Sequence, residues 1–237
     1  MKAKTVGIIG GMGPEATVDL MNRVIKATPA VDDGDHIHML VDNNPGIPSR
    51  IRALIEGTGE SPGPCLAGMG RRLETWGADF LAIPCNTAHY YYEEIAGAVH
   101  IPVLHMIELA VERIVRENPG IRRVGLLASP AVLKTELYTR SFMKRDVELI
   151  YPAAGLQDGL LAAIRGIKSG SLDEKVISKA QAASDHLAGR NAQALLIACT
   201  ELSIIGDRIL RDGKKYDSSQ ILAEAIVLEA KGGPALA

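Results

Sequence analysis

The sequence predicts an α/β protein of two pseudo-symmetric lobes, each a parallel β-sheet flanked by helices. Three observations carry this. Short apolar runs alternate with longer segments of helical periodicity along the chain, the pattern of βαβ units and parallel sheets. The run Val6-Gly7-Ile8-Ile9 recurs as Val124-Gly125-Leu126-Leu127. The segment from Ala78 to Cys85 aligns without a gap on that from Ala192 to Cys199, with Ala, Leu, Ile and Cys coinciding at four of eight positions. Cys85 lies 78 residues after Gly7 and Cys199 lies 74 after Gly125, so each half starts a sheet and later sets a cysteine just past a buried strand.

The elements follow in order. Residues 5–9 read as a buried strand and 14–27 as a helix, with Pro14 at an early position where its missing N–H costs nothing. Residues 36–41 form a second strand, 66–76 a helix, 80–83 a third strand and 88–99 a helix. A short strand at 103–104 and a helix at 108–117 lead to the repeat strand at 124–127. Then come a helix at 134–144, a strand at 148–151, helices at 158–167 and 172–188, a strand at 194–197 and a last helix at 219–230. No Gly/Ser-rich linker separates the halves. The expected division is residues 1–102 plus 211–237 for the lobe carrying Cys85, and 103–210 for the lobe carrying Cys199, the last helix returning to the first half.

Composition narrows the function. Of 237 residues 47% are apolar and 23% charged, which is ample for a core, but only 4% are aromatic, so aliphatic side chains must fill it. A formal net charge of −2 gives no electrostatic case for nucleic acid or an anionic membrane surface. No apolar run is long enough to span a membrane, and the short stretch after Lys2 and Lys4 does not read as a signal peptide. Cys65, Cys85 and Cys199 are too sparse for a disulfide framework and fit reduced thiols, so a cytoplasmic protein is expected.

Cys85 and Cys199 hold the chemical interest. Each follows an apolar strand and precedes a helix start, the edge where open α/β sheets bind ligands. Such a setting favours an anion and lowers a thiol pKa. Two facing thiols could form a disulfide, hold a metal, or act as acid and base. A redox pair more often shows Cys-x-x-Cys. Zinc wants about four ligands, and beyond the i, i+4 pair Cys85 and His89 none follows Cys199. As acid and base, one thiolate and one thiol on opposite faces of a carbon would invert it.

Gly10-Gly11-Met12-Gly13-Pro14-Glu15-Ala16-Thr17, Pro84-Cys85-Asn86-Thr87-Ala88-His89 and Ala198-Cys199-Thr200-Glu201-Leu202 resemble the aspartate/glutamate racemase family, in order and over nearly the whole chain. The resemblance implies two α/β lobes with the site between them, and no pyridoxal phosphate, metal or other cofactor. It implies two catalytic cysteines, Cys85 serving the D-enantiomer and Cys199 the L-enantiomer, an amino-acid substrate (aspartate favoured, glutamate possible) and a homodimer. It also implies substrate contacts from Met12, Arg50, Asn86, Thr87, Ser129, Lys168, Thr200 and Glu201. Asn44-Pro45-Gly46-Ile47-Pro48-Ser49-Arg50 resembles the loop whose arginine meets the distal carboxylate, and Ile164-Arg165-Gly166-Ile167-Lys168-Ser169-Gly170 the segment with a substrate-binding lysine. Gln157 also falls where the family keeps a glutamine.

The chain departs from the family pattern at Ser129-Pro130-Ala131-Val132, where a Gly-Thr pair is usual, and at Lys214-Lys215-Tyr216-Asp217-Ser218. Other members of the superfamily, such as maleate-type isomerases, malonate decarboxylases and hydantoin racemases, reuse one or both cysteines on other substrates. A dinucleotide-binding reading of Gly11-x-Gly13-x-x-Ala16 fits poorly, because Pro14 removes an N–H that a phosphate would need. Tyr90-Tyr91-Tyr92, His36, His38, His105 and Cys65 are read as packing or loop residues.

Overall fold

A computed structural model describes residues 3–209 and 213–232. Its first sheet has the order β2-β1-β3, from β1 (Val6–Gly10), β2 (Met39–Asn43) and β3 (Phe80–Ala82), all parallel. Its second has the order β5-β4-β6-β7, from β4 (Arg123–Ala128), β5 (Glu148–Ile150), β6 (Ala194–Ala198) and β7 (Lys214–Asp217), also parallel. The α/β class and the two parallel sheets flanked by helices are thus as the sequence predicts.

The helices are α1 (Pro14–Ala27), α2 (Gly63–Thr75), α3 (Tyr92–Ala96), α4 (Met106–Glu117), α5 (Pro130–Lys134) and α6 (Leu137–Met143), then α7 (Ala154–Lys168), α8 (Glu174–Gly189), α9 (Thr200–Ile204), α10 (Gly206–Ile209) and α11 (Ser218–Lys231). They cover both faces of both sheets, as parallel strands require. Alternate residues of β1 and β3 divide accordingly. Val6, Ile8, Phe80 and Ala82 pack with Leu20 and Val24 of α1 and Leu222 and Ile226 of α11. Ile9 and Leu81 face Leu66, Met69 and Leu73 of α2. In the second lobe Leu127, Leu195 and Ile197 meet α7 and α8, while Val124, Leu126 and Leu196 meet α4 and α6.

The internal repeat is visible in the packing. Gly7 pairs with Leu81, and Gly125 with Leu195. A Cβ on Gly7 would lie 2.6 Å from Leu81, 2.9 Å from Ala78 and 3.1 Å from Leu73. A Cβ on Gly125 would lie 2.6 Å from Leu195, 3.2 Å from Ala192 and 3.1 Å from Leu187. The same glycine, alanine and two leucines thus build the same close approach of a helix to the central strand in each lobe.

Several elements differ from the sequence reading. The expected strand at 103–104 is a single bridge from Val103 to Leu81. The helix expected over 88–99 is a 3-10 segment, Thr87–Tyr91, followed by α3. The Cys85 carbonyl, which an α-helix would give to the amide of residue 89, instead accepts from the His89 ring, and that amide bonds Asn86 O. The helix expected over 134–144 is broken into α5 and α6 at Glu136, which has a left-handed φ of 55°. Strand β7 is half-exposed and polar, so it carried no apolar signal. It lies in the segment 211–237 that was expected in the first lobe, yet it pairs with β6 of the second sheet, while α11 of the same segment packs on the first. The 210/211 boundary itself lies outside the described residues.

Because nothing in the two glycine contacts can give way except packed side chains, Gly7→Ala and Gly125→Ala should each destabilise the protein by about 1–3 kcal/mol, as overpacked cores do. Gly159→Ala, in the interior of α7 with nothing within 4 Å, should instead gain about 0.5–1 kcal/mol. Urea unfolding of the three variants checks this. Equal effects at all three positions would show that the close approach is not a constraint.

Candidate active site

Both sheets send their carboxyl edges to one cavity of about 160 Å3 between the lobes. It is smaller than the roughly 300–1,000 Å3 of pockets for drug-sized ligands, which suits a very small one. The first lobe contributes Met12, Arg50, Cys85, Asn86 and Thr87, and the second Ser129, Lys168, Cys199, Thr200 and Glu201. The ten residues that the resemblance assigns to catalysis or substrate contact therefore line a single space. Ser49, Ile51, Ile164 and Ala198 also line it and were not foreseen; the first two flank Arg50 and the last precedes Cys199.

Cys85 follows β3 through Ile83 and Pro84, and its amide bonds Ile83 O. His89 fixes this turn. Its Nε2 accepts from the Met106 amide at 3.1 Å, so Nδ1 bears the proton and donates to Cys85 O at 2.9 Å. Burial and the neighbouring His105 push the His89 pKa down to about 3, so this clamp stays neutral. Cys199 caps α9 directly after β6. Both thiols are 6% exposed.

The second motif carries a carboxylate that the first lacks. Glu201 Oε1 lies 2.6 Å from Lys168 Nζ and accepts the Gly13 amide at 3.2 Å, and Oε2 accepts the Cys199 S–H at 3.2 Å. Burial pulls the Lys168 ammonium down, but the charge and hydrogen bond of Glu201, with the two thiols, push it up on balance. The Cys199 thiol is pushed well up, first by burial and then by the Glu201 charge, which outweighs Lys168. This corrects the expectation that a helix start lowers that thiol. Helix α9 has five residues, too short for its dipole to compete with a carboxylate at contact.

The backbone around Met12 is shaped by its glycines. Gly11 has φ +96° and sits where a Cβ would strike Asn44 O at 2.1 Å, so only glycine fits. Its amide bonds Thr17 Oγ1 at 2.9 Å. The Gly13 amide, which a dinucleotide phosphate would need, is committed to Glu201.

Arg50 sits on the turn before a single π-helical turn, Arg52–Glu56. Its Nη1 bonds Pro48 O at 3.1 Å, and among the described residues no carboxylate pairs with it. Thr87 Oγ1 and Ser129 Oγ meet across the cleft at 3.4 Å. The Asn86 amide is largely engaged elsewhere: Oδ1 accepts from Tyr138 OH at 2.6 Å and Nδ2 donates to Ser218 Oγ at 3.1 Å. Gln157 is outside the cavity and donates to Ala128 O, behind Ser129. Cys65 lies apart, half-buried beside Asn44. Among the described residues no cluster of three or more His, Cys, Asp and Glu could hold a metal, and no helix is long and apolar enough to cross a membrane.

Comparison with known proteins places the fold and the family. The chain is 28% identical to the broad-specificity amino-acid racemase RacX of Bacillus subtilis (strain 168) over 235 residues, covering 94% of this chain and 96% of that one. Among solved structures, the aspartate racemase of Picrophilus torridus superposes with a TM-score of 0.87 at 30% identity, covering 98% of this chain and 96% of that chain. The glutamate racemase isoform RacE1 of Bacillus anthracis shares the fold, with a TM-score of 0.69 at 17% identity and coverage of 100% and 86%. A model of the Asp/Glu/hydantoin racemases matches residues 9–226, and with both cysteine motifs inside that span the chain belongs to this family of racemases.

Proposed function

We propose that the protein racemises an acidic amino acid without a cofactor, aspartate in preference to glutamate, by proton transfer between Cys85 and Cys199. The observation that carries this is that two thiols from matched strand ends line one small cavity. A thiolate on one side takes the Cα proton, and the thiol on the other returns its own proton to the opposite face. The carbon is inverted, and the two cysteines exchange protonation states. Negative charge spreads onto the α-carboxylate in between, where fixed donors lower the barrier.

The charges of the lining support a dicarboxylate. Apart from the thiols, Arg50 and Lys168 are cations and Glu201 is an anion. An acidic amino acid brings the complement, two carboxylates and one ammonium. A neutral amino acid would leave one cation unmatched. Arg50, with no carboxylate partner among the described residues, suits the distal group through its planar fork.

Two experiments test this reading. Cys85→Ser and Cys199→Ser should each lower racemisation by about 10²–10⁴-fold, the usual worth of a positioned acid or base. Each should still permit some exchange of one enantiomer's Cα hydrogen with D₂O, the L-form for Cys85→Ser and the D-form for Cys199→Ser. A serine variant that racemises at the wild-type rate would remove that cysteine from the mechanism.

Arg50→Ala should cut kcat/KM for aspartate roughly ten- to hundredfold, from loss of a hydrogen bond to a charged group, while a neutral amino acid is little affected. Equal losses on both substrates would show that Arg50 does not read the distal carboxylate.

A further inference from the structure

The two cysteines hold equivalent places, but the residues two positions beyond them do not match. Thr87 follows Cys85, and its hydroxyl faces Ser129. Glu201 follows Cys199, is 6% exposed, and turns Oε2 onto the thiol at 3.2 Å. A buried carboxylate needs compensation, and here both the Lys168 ammonium and the Gly13 amide lie on Oε1. The oxygen facing the sulfur has the S–H as its hydrogen-bond partner. Loss of that proton would leave a thiolate in contact with a carboxylate, an arrangement buried like charges disfavour.

The remaining charged groups do not reverse this. Lys168, from the end of α7, favours a Cys199 thiolate but is held on the far oxygen of Glu201. Arg50 and the Cys85 thiol line the cavity from the other lobe. No such carboxylate follows Cys85, where the sequence has Thr87.

Building on the two-thiol reading above, we infer that Glu201 is a positioning residue that keeps Cys199 as the protonated partner, so that the substrate-free enzyme rests with Cys85 as its base. The two free-enzyme forms differ only in which sulfur holds the proton. The enantiomer whose Cα–H faces Cys85 meets the resting form. The other must wait for the Cys199 proton to leave and a solvent proton to reach Cys85. Racemisation has an equilibrium constant of one, so kcat/KM is the same in both directions at every pH. The asymmetry therefore appears in the individual kcat and KM values and in the reactivity of the thiols.

The test is alkylation of the substrate-free protein by iodoacetamide across a pH series, each cysteine followed separately by peptide mass spectrometry. In the wild type the onset for Cys85 should lie at lower pH than that for Cys199. Glu201→Gln should bring the Cys199 onset down by at least about one pH unit, a tenfold faster reaction at a fixed pH below it, and leave Cys85 where it was. Glu201→Thr, which copies the first motif, should do the same. A Cys199 onset at or below that of Cys85 in the wild type overturns the inference, as does a Cys199 onset unchanged in both variants. Equal movement of both cysteines would mark a structural change and also count against it. If neither variant folds, the wild-type order decides. The readout needs no turnover, so a failure of the racemase reading would show separately, as absence of activity on every amino acid with the thiol order intact.

Discussion

The cavity depends on a polar seam buried between the lobes. Asn86 is 3% exposed, and its amide ties Tyr138 of α6 to Ser218 of α11. Tyr138 belongs to the second lobe and Ser218 directly follows β7 of the second sheet, so the turn after Cys85 is fixed against the other lobe. Each such bond contributes about 1 kcal/mol, but leaving one of these groups unpaired costs about 1–3 kcal/mol, so the seam specifies one arrangement more than it adds stability. Arg23 extends it, reaching Ser203 O at 2.7 Å and Asp217 at 3.1 Å from α1. Burial raises the Asp217 carboxyl despite that guanidinium.

On that frame the two halves repeat a construction. A glycine in the central strand lets a helix approach, the neighbouring strand ends in a cysteine, and the polypeptide turns at once into a helical segment. The fourth residue after each cysteine returns to its carbonyl, His89 by its ring at 2.9 Å and Ser203 by its amide at 3.1 Å. The two copies differ beyond the cysteines: a neutral imidazole holds one turn and a carboxylate attends the other thiol.

Periodicity and repeat were enough to read most strands and helices, because buried parallel strands are continuous apolar runs and their covering helices are amphipathic. The reading failed where local signal was absent. Strand β7 is exposed and charged along half its length, and its pairing with β6 is a tertiary choice. The segment after Cys85 has helical composition, yet the His89 side chain takes the carbonyl that would have continued the helix.

The sequence by itself determined which residues could do chemistry. The two cysteines at matched depth were legible because each directly follows a buried parallel strand, whereas Arg50 and Lys168 were legible only through the resemblance of their segments to the family. Only the tertiary structure decided how these groups act on one another. Glu201 and Gly13 are 188 residues apart in the chain, and no local pattern predicts that one will accept the other's amide. The same holds for its grip on Lys168 and its contact with the Cys199 sulfur. Charge and burial set the protonation of a thiol, and both are properties of neighbours in space. The motif could therefore name the cysteines, while their inequality emerged only when the lobes were closed around them.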